Sequence, residues 1–448
     1  MMGCCTMNIN RLLKTVMTLP IRIVGAVMLI AEISILAVAQ EPIVREQTVG
    51  NIISFEQMSF QHDSSYRIII PVRIRYDFFV FVKPALQTSS TFTASGEISA
   101  ELLDSTGTSV AQKIERINLS ITDNTPGELR LHFHQNFISF TVPNGRYTIV
   151  FTLEDKESKR RFTDSQKTFV TSQSNTNISG LIPAIQTSDS SFSVFNLSGD
   201  VQFSHNYGFL FQTTSRYSSA SYSLHKILPD EDDNEVIASN VPVSLVSFAQ
   251  ASCSATLANN TVELYLDETT IATIHYVAFD GSQLRQGRYE LVLTFPDSST
   301  VKTIFGARWL DMPVALNDLD IAIEPLQFIT TKNDYSNLRR GSRDSRIKKF
   351  EEFWKKKDST PSTAYNEVMH EFYRRVDFSV IAFRTLREMN GAITDRGKIY
   401  ILYGNPTTTE RLLAPDGAPK EIWKYNSQNK IFTFEDPGKQ GNYKLTEH

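Results

Sequence analysis

The chain has 448 residues, which is too long for one ordinary domain and predicts about three. Its formal net charge of −4 excludes a general electrostatic attraction to nucleic acid, and we expect no nucleic-acid partner. Hydrophobic residues make up 41% of the chain, which is ordinary for a globular protein.

Residues 1–39 have the organisation of a secretory signal peptide. Basic residues precede an apolar run at 23–38, and an Ala-Val-Ala sequence that ends at Ala39 fits a small-residue cleavage site. Glu32 lies within the apolar run and disfavours a permanent membrane anchor. The sequence therefore predicts cleavage after Ala39 and no stable membrane span afterwards. We expect an exported protein that is periplasmic, outer-membrane-associated or extracellular.

Removal of that segment leaves one cysteine, Cys253. A single cysteine cannot form an intramolecular disulfide, although an exported protein could carry one. A reactive nucleophile or an intermolecular cross-link is one interpretation. A small buried residue in a strand is the simpler one.

Residues 40–171 are dominated by alternation of apolar and polar side chains. The strand-like runs are Tyr66–Tyr76, Phe92–Leu103, Val110–Ile121 and Leu129–Phe140, with glycine and proline turns between them. Short strands at this spacing are typical of an antiparallel β-sandwich.

An internal repeat predicts a second sandwich. Residues 145–155 read GRYTIVFTLED and residues 287–297 read GRYELVLTFPD, so that six positions coincide without a gap. We place the second sandwich at residues 188–308 and a Ser/Asn/Thr-rich linker at residues 172–187.

The repeat also suggests a type of sandwich. A turn followed by an alternating strand and a polar hairpin is typical of the last hairpin of an immunoglobulin-like (Ig-like) domain. The tyrosines of the repeat, Tyr147 and Tyr289, would place their rings against the core and their hydroxyls on the backbone.

The pattern changes from Trp309 onward. Residues 309–347 predict a helical, basic connector, whose cations could contact an anionic surface or form the solvated face of a helix. We favour the solvated helix, because Phe350, Phe353 and Trp354 continue it as one apolar stripe. Residues 348–448 then predict helices followed by short antiparallel strands, which is a small α+β domain.

The most specific segment is residues 391–406, GAITDRGKIYILYGNP. Its glycine follows a long helical pattern, and a polar turn at Thr394–Gly397 leads into alternating residues. The alternation predicts a strand at Lys398–Tyr403 that ends at Gly-Asn-Pro. Such a turn would have to set the direction of this strand so that the remaining strands can pair with it.

This segment resembles the signature of the GWxTD-domain family, a group of secreted bacterial proteins of unassigned function. The resemblance covers roughly residues 309–448 and continues through the motifs FEEFW at 350–354, EIWKY at 421–425 and FTFED at 432–436. The tryptophan of the family is Ala392 here, so no ligand role of that tryptophan can be carried over.

The residues of the signature and of the later motifs form the candidate site, as a structural or a binding element. They are Gly391, Thr394, Asp395, Arg396, Gly397, Tyr400, Tyr403, Gly404, Pro406, Trp423, Tyr425, Phe434 and Asp436. A catalytic interpretation makes Asp395 a general base and Arg396 an anion clamp. A structural interpretation has Asp395 accept N–H groups of its own turn, while Arg396 pairs with a carboxylate or stacks on an aromatic ring. We favour the structural or binding interpretation.

The sequence lacks the common catalytic and cofactor motifs. It contains no GxSxG, P-loop, CxxC, EF-hand or Rossmann pattern, and we expect no catalytic residue, metal or cofactor. With the signal peptide and the family resemblance, this predicts a secreted, non-catalytic binding or scaffold protein of the bacterial cell envelope. Its C-terminal domain would recognise the partner, which we expect to be another envelope protein or a cell-wall glycan. The alternatives are an envelope hydrolase around Asp395 and Arg396, and a purely structural component of a surface or secretion assembly.

Three geometries distinguish these functions. An exposed groove lined by tyrosine, tryptophan and charged residues favours binding. A deep pocket with two converging carboxylates favours a hydrolase. A flat interface between sandwiches without a pocket favours an assembly role.

Overall fold

The computed structural model describes residues 52–84, 91–122, 129–130, 132–170, 178–228, 234–413 and 417–447. The predicted signal peptide and its cleavage site lie outside these residues. Strands account for about half of the chain and form several antiparallel sheets, and the few helices lie near the C-terminus. The β-rich part of the fold predicted from the alternating patterns is confirmed.

Eight strands between residues 53 and 170 form two sheets. They are β1 (Ile53–Phe55), β2 (Met58–His62), β3 (Ser65–Arg75), β4 (Phe92–Leu103), β5 (Ser109–Ile121), β6 (Phe133–Val142), β7 (Gly145–Asp155) and β8 (Arg161–Val170). Sheet A contains β1, β2, β3 and β6, with β3 paired to the other three, and sheet B has the order β5-β4-β7-β8. The facing sides of sheets A and B bury a core of mainly isoleucine, leucine and phenylalanine side chains.

Ten strands between residues 182 and 308 form two more sheets. They are β9 (Ile182–Ser188), β10 (Ser191–Val194), β11 (Val201–Gln202), β12 (Tyr207–Thr213), β13 (Ser219–Ile227), β14 (Glu235–Ser244), β15 (Val246–Ala258), β16 (Thr261–Phe279), β17 (Gly287–Thr294) and β18 (Thr300–Arg308). Sheet C has the order β10-β9-β12-β16-β15 and sheet D the order β11-β18-β17-β13-β14. These two sheets enclose a second core, which is rich in phenylalanine and tyrosine. Because β9 belongs to sheet C, residues 182–187 of the predicted linker are part of a sheet.

The sequence repeat occupies equivalent strands. It forms β7, which lies between β4 and β8 in sheet B, and β17, which lies between β13 and β18 in sheet D. The hydroxyl of Tyr147 donates to the carbonyl of Pro143 at 3.1 Å, and that of Tyr289 to the carbonyl of Arg285 at 2.7 Å. Both hydroxyls therefore bond to the backbone, as the sequence predicts, and in each case the acceptor lies four residues upstream.

Sheet A is covered on both faces. Ile68 and Ile70 of β3 pack in the core shared with sheet B, whereas Ile69 packs in a third core shared with sheet C. Sheet C contributes Leu264 and Cys253 to that third core. Cys253 is a fully buried strand residue with a free thiol, in agreement with its simpler interpretation.

Polar contacts reinforce this interface between the two halves. The guanidinium of Arg67 on β3 lies 2.6 Å from the carboxylate of Asp267 and donates to the carbonyl of Cys253 at 2.9 Å. The side chain of Gln212 exchanges two hydrogen bonds with the backbone of Gln61, at 2.6 and 2.9 Å. The four sheets are thus stacked in the order B, A, C, D.

The described residues of the C-terminal part contain five α-helices and one sheet. The helices are α1 (Leu319–Ile323), α2 (Lys332–Leu338), α3 (Arg343–Lys355), α4 (Glu367–Ala382) and α5 (Asp395–Tyr403), and the strands are β19 (Thr408–Leu412), β20 (Lys420–Tyr425), β21 (Lys430–Glu435) and β22 (Lys444–Glu447). Sheet E has the order β19-β20-β21-β22. The predicted connector, residues 309–347, shares one core with α3, α4 and α5.

The predicted strand at Lys398–Tyr403 is wrong, because these residues form most of helix α5. The helix lies between two cores. Ile401 packs among the helices, and Ile399 packs against sheet E. Residues two apart on a helix point in nearly opposite directions, so burial of both faces produces the same alternation as a strand.

Candidate binding groove

The signature begins helix α5 instead of a strand. Thr394 is the N-cap residue, and its hydroxyl accepts the backbone N–H of Gly397 at 3.1 Å. The same hydroxyl donates to the carbonyl of Gly391 at 2.7 Å. The hydroxyl of Thr394 therefore joins the end of the preceding 3-10 turn, Gly391–Ile393, to the start of the helix.

The two glycines of the signature allow close backbone approach. A Cβ at Gly397 would lie 2.0 Å from the carbonyl oxygen of Gly391, and a Cβ at Gly391 would lie 2.2 Å from that of Ser379 on α4. Neither glycine has a positive φ. Both are therefore required by packing and not by backbone conformation.

Asp395 stabilises a distant strand. Its carboxylate accepts the backbone N–H of Leu445 in β22 at 2.9 Å. The structural interpretation predicted that this carboxylate accepts N–H groups of its own turn. The observed hydrogen-bond donor instead lies in a strand 50 residues away. Asp395 also lies in the first turn of α5, where a negative charge is favourable.

Arg396 forms a buried ion pair. Its Nη1 lies 3.1 Å from Glu421 Oε2, and the two side chains are 13% and 5% exposed. The guanidinium also lies over the rings of Tyr443 and Phe383, at 4.3 and 5.3 Å from their centroids. The other oxygen of Glu421 accepts the indole N–H of Trp423 at 2.8 Å. Arg396 thus makes both contacts that its structural interpretation predicts.

The remaining signature residues mainly connect the end of α5 to sheet E or pack within that sheet. Gly404 ends the helix with φ +79°, and its carbonyl accepts the hydroxyl of Tyr425 at 2.9 Å. Tyr403 packs beside Tyr425, with ring centroids 5.6 Å apart. Phe434 is fully buried against Trp423, and the carboxylate of Asp436 accepts the N–H of Gly441 at 2.6 Å.

A groove of about 530 Å³ lies where α4, the end of α5 and sheet E meet. Its lining residues are Phe378, Phe383, Tyr400, Asn405, Pro406, Thr409, Arg411, Glu421 and Trp423. The rings of Phe378 and Tyr400 are stacked with centroids 4.5 Å apart, and Phe378 is 50% exposed. The groove lining therefore combines aromatic rings with polar and charged side chains.

One wall of the groove is the edge strand of sheet E. Within the described residues β19 pairs with β20 alone, and every residue of β19 is exposed. Thr409 and Arg411 line the groove from this strand, opposite Trp423 and Glu421 in the register with β20. A strand of sheet E with an unpaired outer edge among the described residues thus contributes two residues to the groove lining.

The groove has the composition of a binding site more than that of a hydrolase site. Its lining contains one carboxylate, Glu421, which is already paired with Arg396. Asp395 is not among the lining residues, since its carboxylate is directed at β22. Of the predicted site residues, Tyr400, Pro406 and Trp423 meet in the groove, and the others hold the domain together.

The exposed part of the groove was not predicted from the sequence. Phe378 does not belong to the apolar stripe of α4, which includes Phe372 and Val376. An aromatic residue outside the buried stripe of a helix was the signal that could have identified it. Arg411 and Thr409 carry no such signal, because their position depends on which strand forms the sheet edge.

Ala392 occupies a core position. It is 1% exposed and packs in the helical core with Trp354 and Tyr373. At the position of the family tryptophan this chain therefore has a buried residue that does not line the groove.

Two features are absent from the described residues. No group of three or more histidine, cysteine, aspartate or glutamate side chains there could hold a metal ion. None of the helices in that part of the chain has the length and apolar character needed to cross a bilayer.

Comparison with known proteins identifies the C-terminal part. Residues 311–448 match the family model described as the GWxTD domain. No curated protein matches the chain. Among solved structures, it is similar to purple acid phosphatase PPD1 from yellow lupin (Lupinus luteus) seeds, with 9% identity, coverage of 57% of this chain and 41% of that chain, and a TM-score of 0.18. The chain thus spans less than half of that phosphatase.

Two other solved structures have similarly low scores. Dpr2 Ig1-Ig2 in complex with DIP-Theta Ig1-Ig3 is 10% identical, with coverage of 58% of this chain and 99% of that chain and a TM-score of 0.13. The Iho670 flagellar-like filament is 9% identical, with coverage of 66% and 98% and a TM-score of 0.09. These TM-scores are too low to indicate a shared fold or function.

Proposed function

The C-terminal part of this chain, residues 311–448, is a GWxTD domain, and we propose that it is the binding domain of an exported, non-catalytic protein of the bacterial cell envelope. The observation that carries the proposal is the aromatic groove beside the exposed edge strand β19. The sheets of residues 53–308 act as a scaffold that presents this groove. Export rests on the signal-peptide organisation of residues 1–39.

The partner is an extended segment of another envelope protein. An extended peptide can add to the free edge of a sheet through main-chain hydrogen bonds, while alternate side chains enter neighbouring pockets. Thr409 and Arg411 are two apart on β19, so a strand paired with it would place alternate side chains beside Phe378 and Tyr400. Tyrosine, tryptophan and arginine are also the residues that most often dominate binding energy at protein interfaces.

The scaffold consists of two Ig-like sandwiches in our proposal. In each half the chain makes a hairpin in the second sheet, returns to the first sheet and then makes a final hairpin in the second sheet. The second half differs by adding β11 to sheet D and by returning through two strands, β15 and β16. The hydroxyls of Tyr147 and Tyr289 bond to backbone four residues upstream. Immunoglobulin sandwiches have a comparable tyrosine near the start of one strand, whose hydroxyl bonds to the backbone a few residues upstream.

The experiment compares groove variants for capture of envelope material. The chain without residues 1–39 is immobilised and exposed to solubilised envelope proteins and, separately, to purified cell-wall glycan. Phe378→Ala and Arg411→Glu alter the groove wall and the edge strand. Ile381→Ala is the matched control, because Ile381 is an exposed residue of the same helix outside the groove lining.

We expect wild type and Ile381→Ala to retain the same envelope protein, and both groove variants to lose it. A cross-link between β19 and an extended segment of that protein would identify the pairing directly. If the wild type and all three variants retained the envelope protein equally, the groove would not be its binding site. Groove-dependent retention of glycan without protein would replace the peptide partner by a wall glycan.

A further inference from the structure

A second cavity lies where both halves of the scaffold meet the start of the C-terminal domain. Its volume is about 830 Å³, within the range of small-molecule sites. Strands β1, β3 and β6 form one side, β17 and β18 form another, and residues 309–317 complete it. None of the signature residues lines it.

The lining of this junction cavity is rich in arginine. Its five arginines are Arg73, Arg75, Arg130, Arg288 and Arg308. Two carboxylates pair with some of these arginines. Asp77 is bound by Arg75 through two contacts of 2.7 Å, with Arg130 at 3.6 Å, and Asp200 is bound by Arg308. Five cations against two carboxylates leave an excess of three positive charges at the cavity.

Arg73 and Arg288 have no ion pair with a described carboxylate, and Arg73 is the less exposed of the two. Its guanidinium lies 3.5 Å from the centroid of the Phe133 ring, and no carboxylate among the described residues is within ion-pair distance. Burial, with the positive charges of Arg308 and Arg75, lowers its pKa to about 10. A negatively charged ligand in the cavity would relieve this repulsion.

The other wall offers apolar contacts. Trp309, Leu310 and Met312 line the cavity from the segment that enters the C-terminal domain. A ligand with an anionic group at the arginines could therefore place a carbon skeleton against this wall. Guanidinium groups match phosphate oxygens with paired N–H donors, which makes arginine a preferred phosphate-binding residue.

We propose that the junction cavity is a binding site for a small organic phosphate, with the phosphate groups at Arg73 and Arg288 and the organic part against Trp309 and Leu310. Arg288 is exposed at the cavity, and no ion pair with a described carboxylate occupies it. Because the site contacts three parts of the chain, the ligand also links the scaffold to the GWxTD domain. This site is separate from the groove of the proposed function.

Isothermal titration of the chain without residues 1–39 with pyrophosphate tests the anionic part of the site. Arg73→Met keeps an unbranched aliphatic side chain but removes the guanidinium that lies over Phe133. Arg288→Met removes a charge at an exposed position, where little effect on folding is expected. Arg116→Met on β5 is the matched control, since Arg116 is exposed and lies outside the cavity. Citrate provides a carboxylate ligand of comparable charge.

We expect pyrophosphate binding that weakens at higher salt and falls at least about tenfold in each cavity variant, the effect of losing one hydrogen bond between charged groups. The Arg116→Met protein should bind as wild type does. Absence of pyrophosphate binding, or an equal loss in Arg116→Met, would overturn the site. Binding of citrate without binding of pyrophosphate would overturn the assignment to phosphate.

Discussion

Asp395 shows how one side chain of a signature can be explained by its hydrogen bond. In sequence it stands beside an arginine, which suggests a general base with an anion clamp. In the structure its carboxylate holds the N–H of Leu445, and Arg396 is committed to Glu421. Each partner lies far along the chain, so adjacency in sequence said nothing about which groups the pair would contact.

Replacement of Asp395 by alanine should release β22. The substitution leaves the N–H of Leu445 without its acceptor, and we expect a loss of about 1–2 kcal/mol of stability in the C-terminal domain. Asp395→Asn keeps an oxygen acceptor and should be milder. Hydrogen exchange of a peptide that contains Leu445, together with urea denaturation, measures both effects. Unchanged exchange and stability in Asp395→Ala would favour the hydrolase interpretation.

At the scale of elements, patterns with one buried face were predicted well. The strand at Phe92–Leu103 is predicted with its observed bounds, because its apolar residues alternate towards a single core. Helix α5 was mistaken for a strand because it is buried on two sides. The groove could not be predicted, since Phe378, Arg411 and Trp423 come together only after α4 packs on sheet E.

The N-cap distinguishes the helix at Asp395–Tyr403 from the strand expected there. Thr394→Ala removes the acceptor for the N–H of Gly397 and the donor to Gly391, and it should destabilise the domain by about 1–2 kcal/mol. Thr394→Ser keeps the hydroxyl and serves as the matched control. The midpoints of urea denaturation compare the two proteins. Equal midpoints for wild type and Thr394→Ala would contradict this capping role.

On the scale of the whole molecule, the interface between the two halves contains a buried carboxyl group. Glu56 follows β1, and its Oε2 accepts the backbone N–H of Gly199, whereas its Oε1 has no hydrogen-bond partner among the described residues. Burial and the nearby charge of Asp200 raise the pKa of Glu56 from 4.5 to about 7, although the Gly199 N–H opposes the shift. The folded protein therefore binds this proton more tightly than the unfolded chain does.

This carboxyl group should make the interface less stable as the pH rises. Below pH 4.5 it is protonated in both states, and between pH 4.5 and 7 only the folded state retains the proton, so its contribution to stability falls across that window. The fall should be roughly 1–3 kcal/mol. The denaturation midpoint of the wild type should decrease as the pH rises from 4.5 to 7. The decrease should be smaller in Glu56→Gln, because glutamine cannot ionise. An identical decrease in both proteins would assign the pH dependence to other groups.

The stacking of four sheets predicts that the two halves unfold together. The sequence offered a hint of it in the consecutive Ile68, Ile69 and Ile70, since a strand buried on both faces has apolar residues in succession. The partner surface could not be predicted, because it is formed by strands almost 200 residues away, which include Cys253 and Leu264. Tandem sandwiches joined by a flexible linker would instead unfold separately.

Ile69→Ala distinguishes these two behaviours. Ile69 is fully buried between sheets A and C, and its truncation should cost about 2–4 kcal/mol. If the stack is one cooperative unit, hydrogen exchange should accelerate in β12 and β16 of sheet C as well as in β3, and a single thermal transition should shift. Ile304→Ala, at an exposed strand position, should change neither. Faster exchange confined to residues 53–170 would contradict cooperative unfolding, because the second half would then be stable without the face of sheet A that covers it.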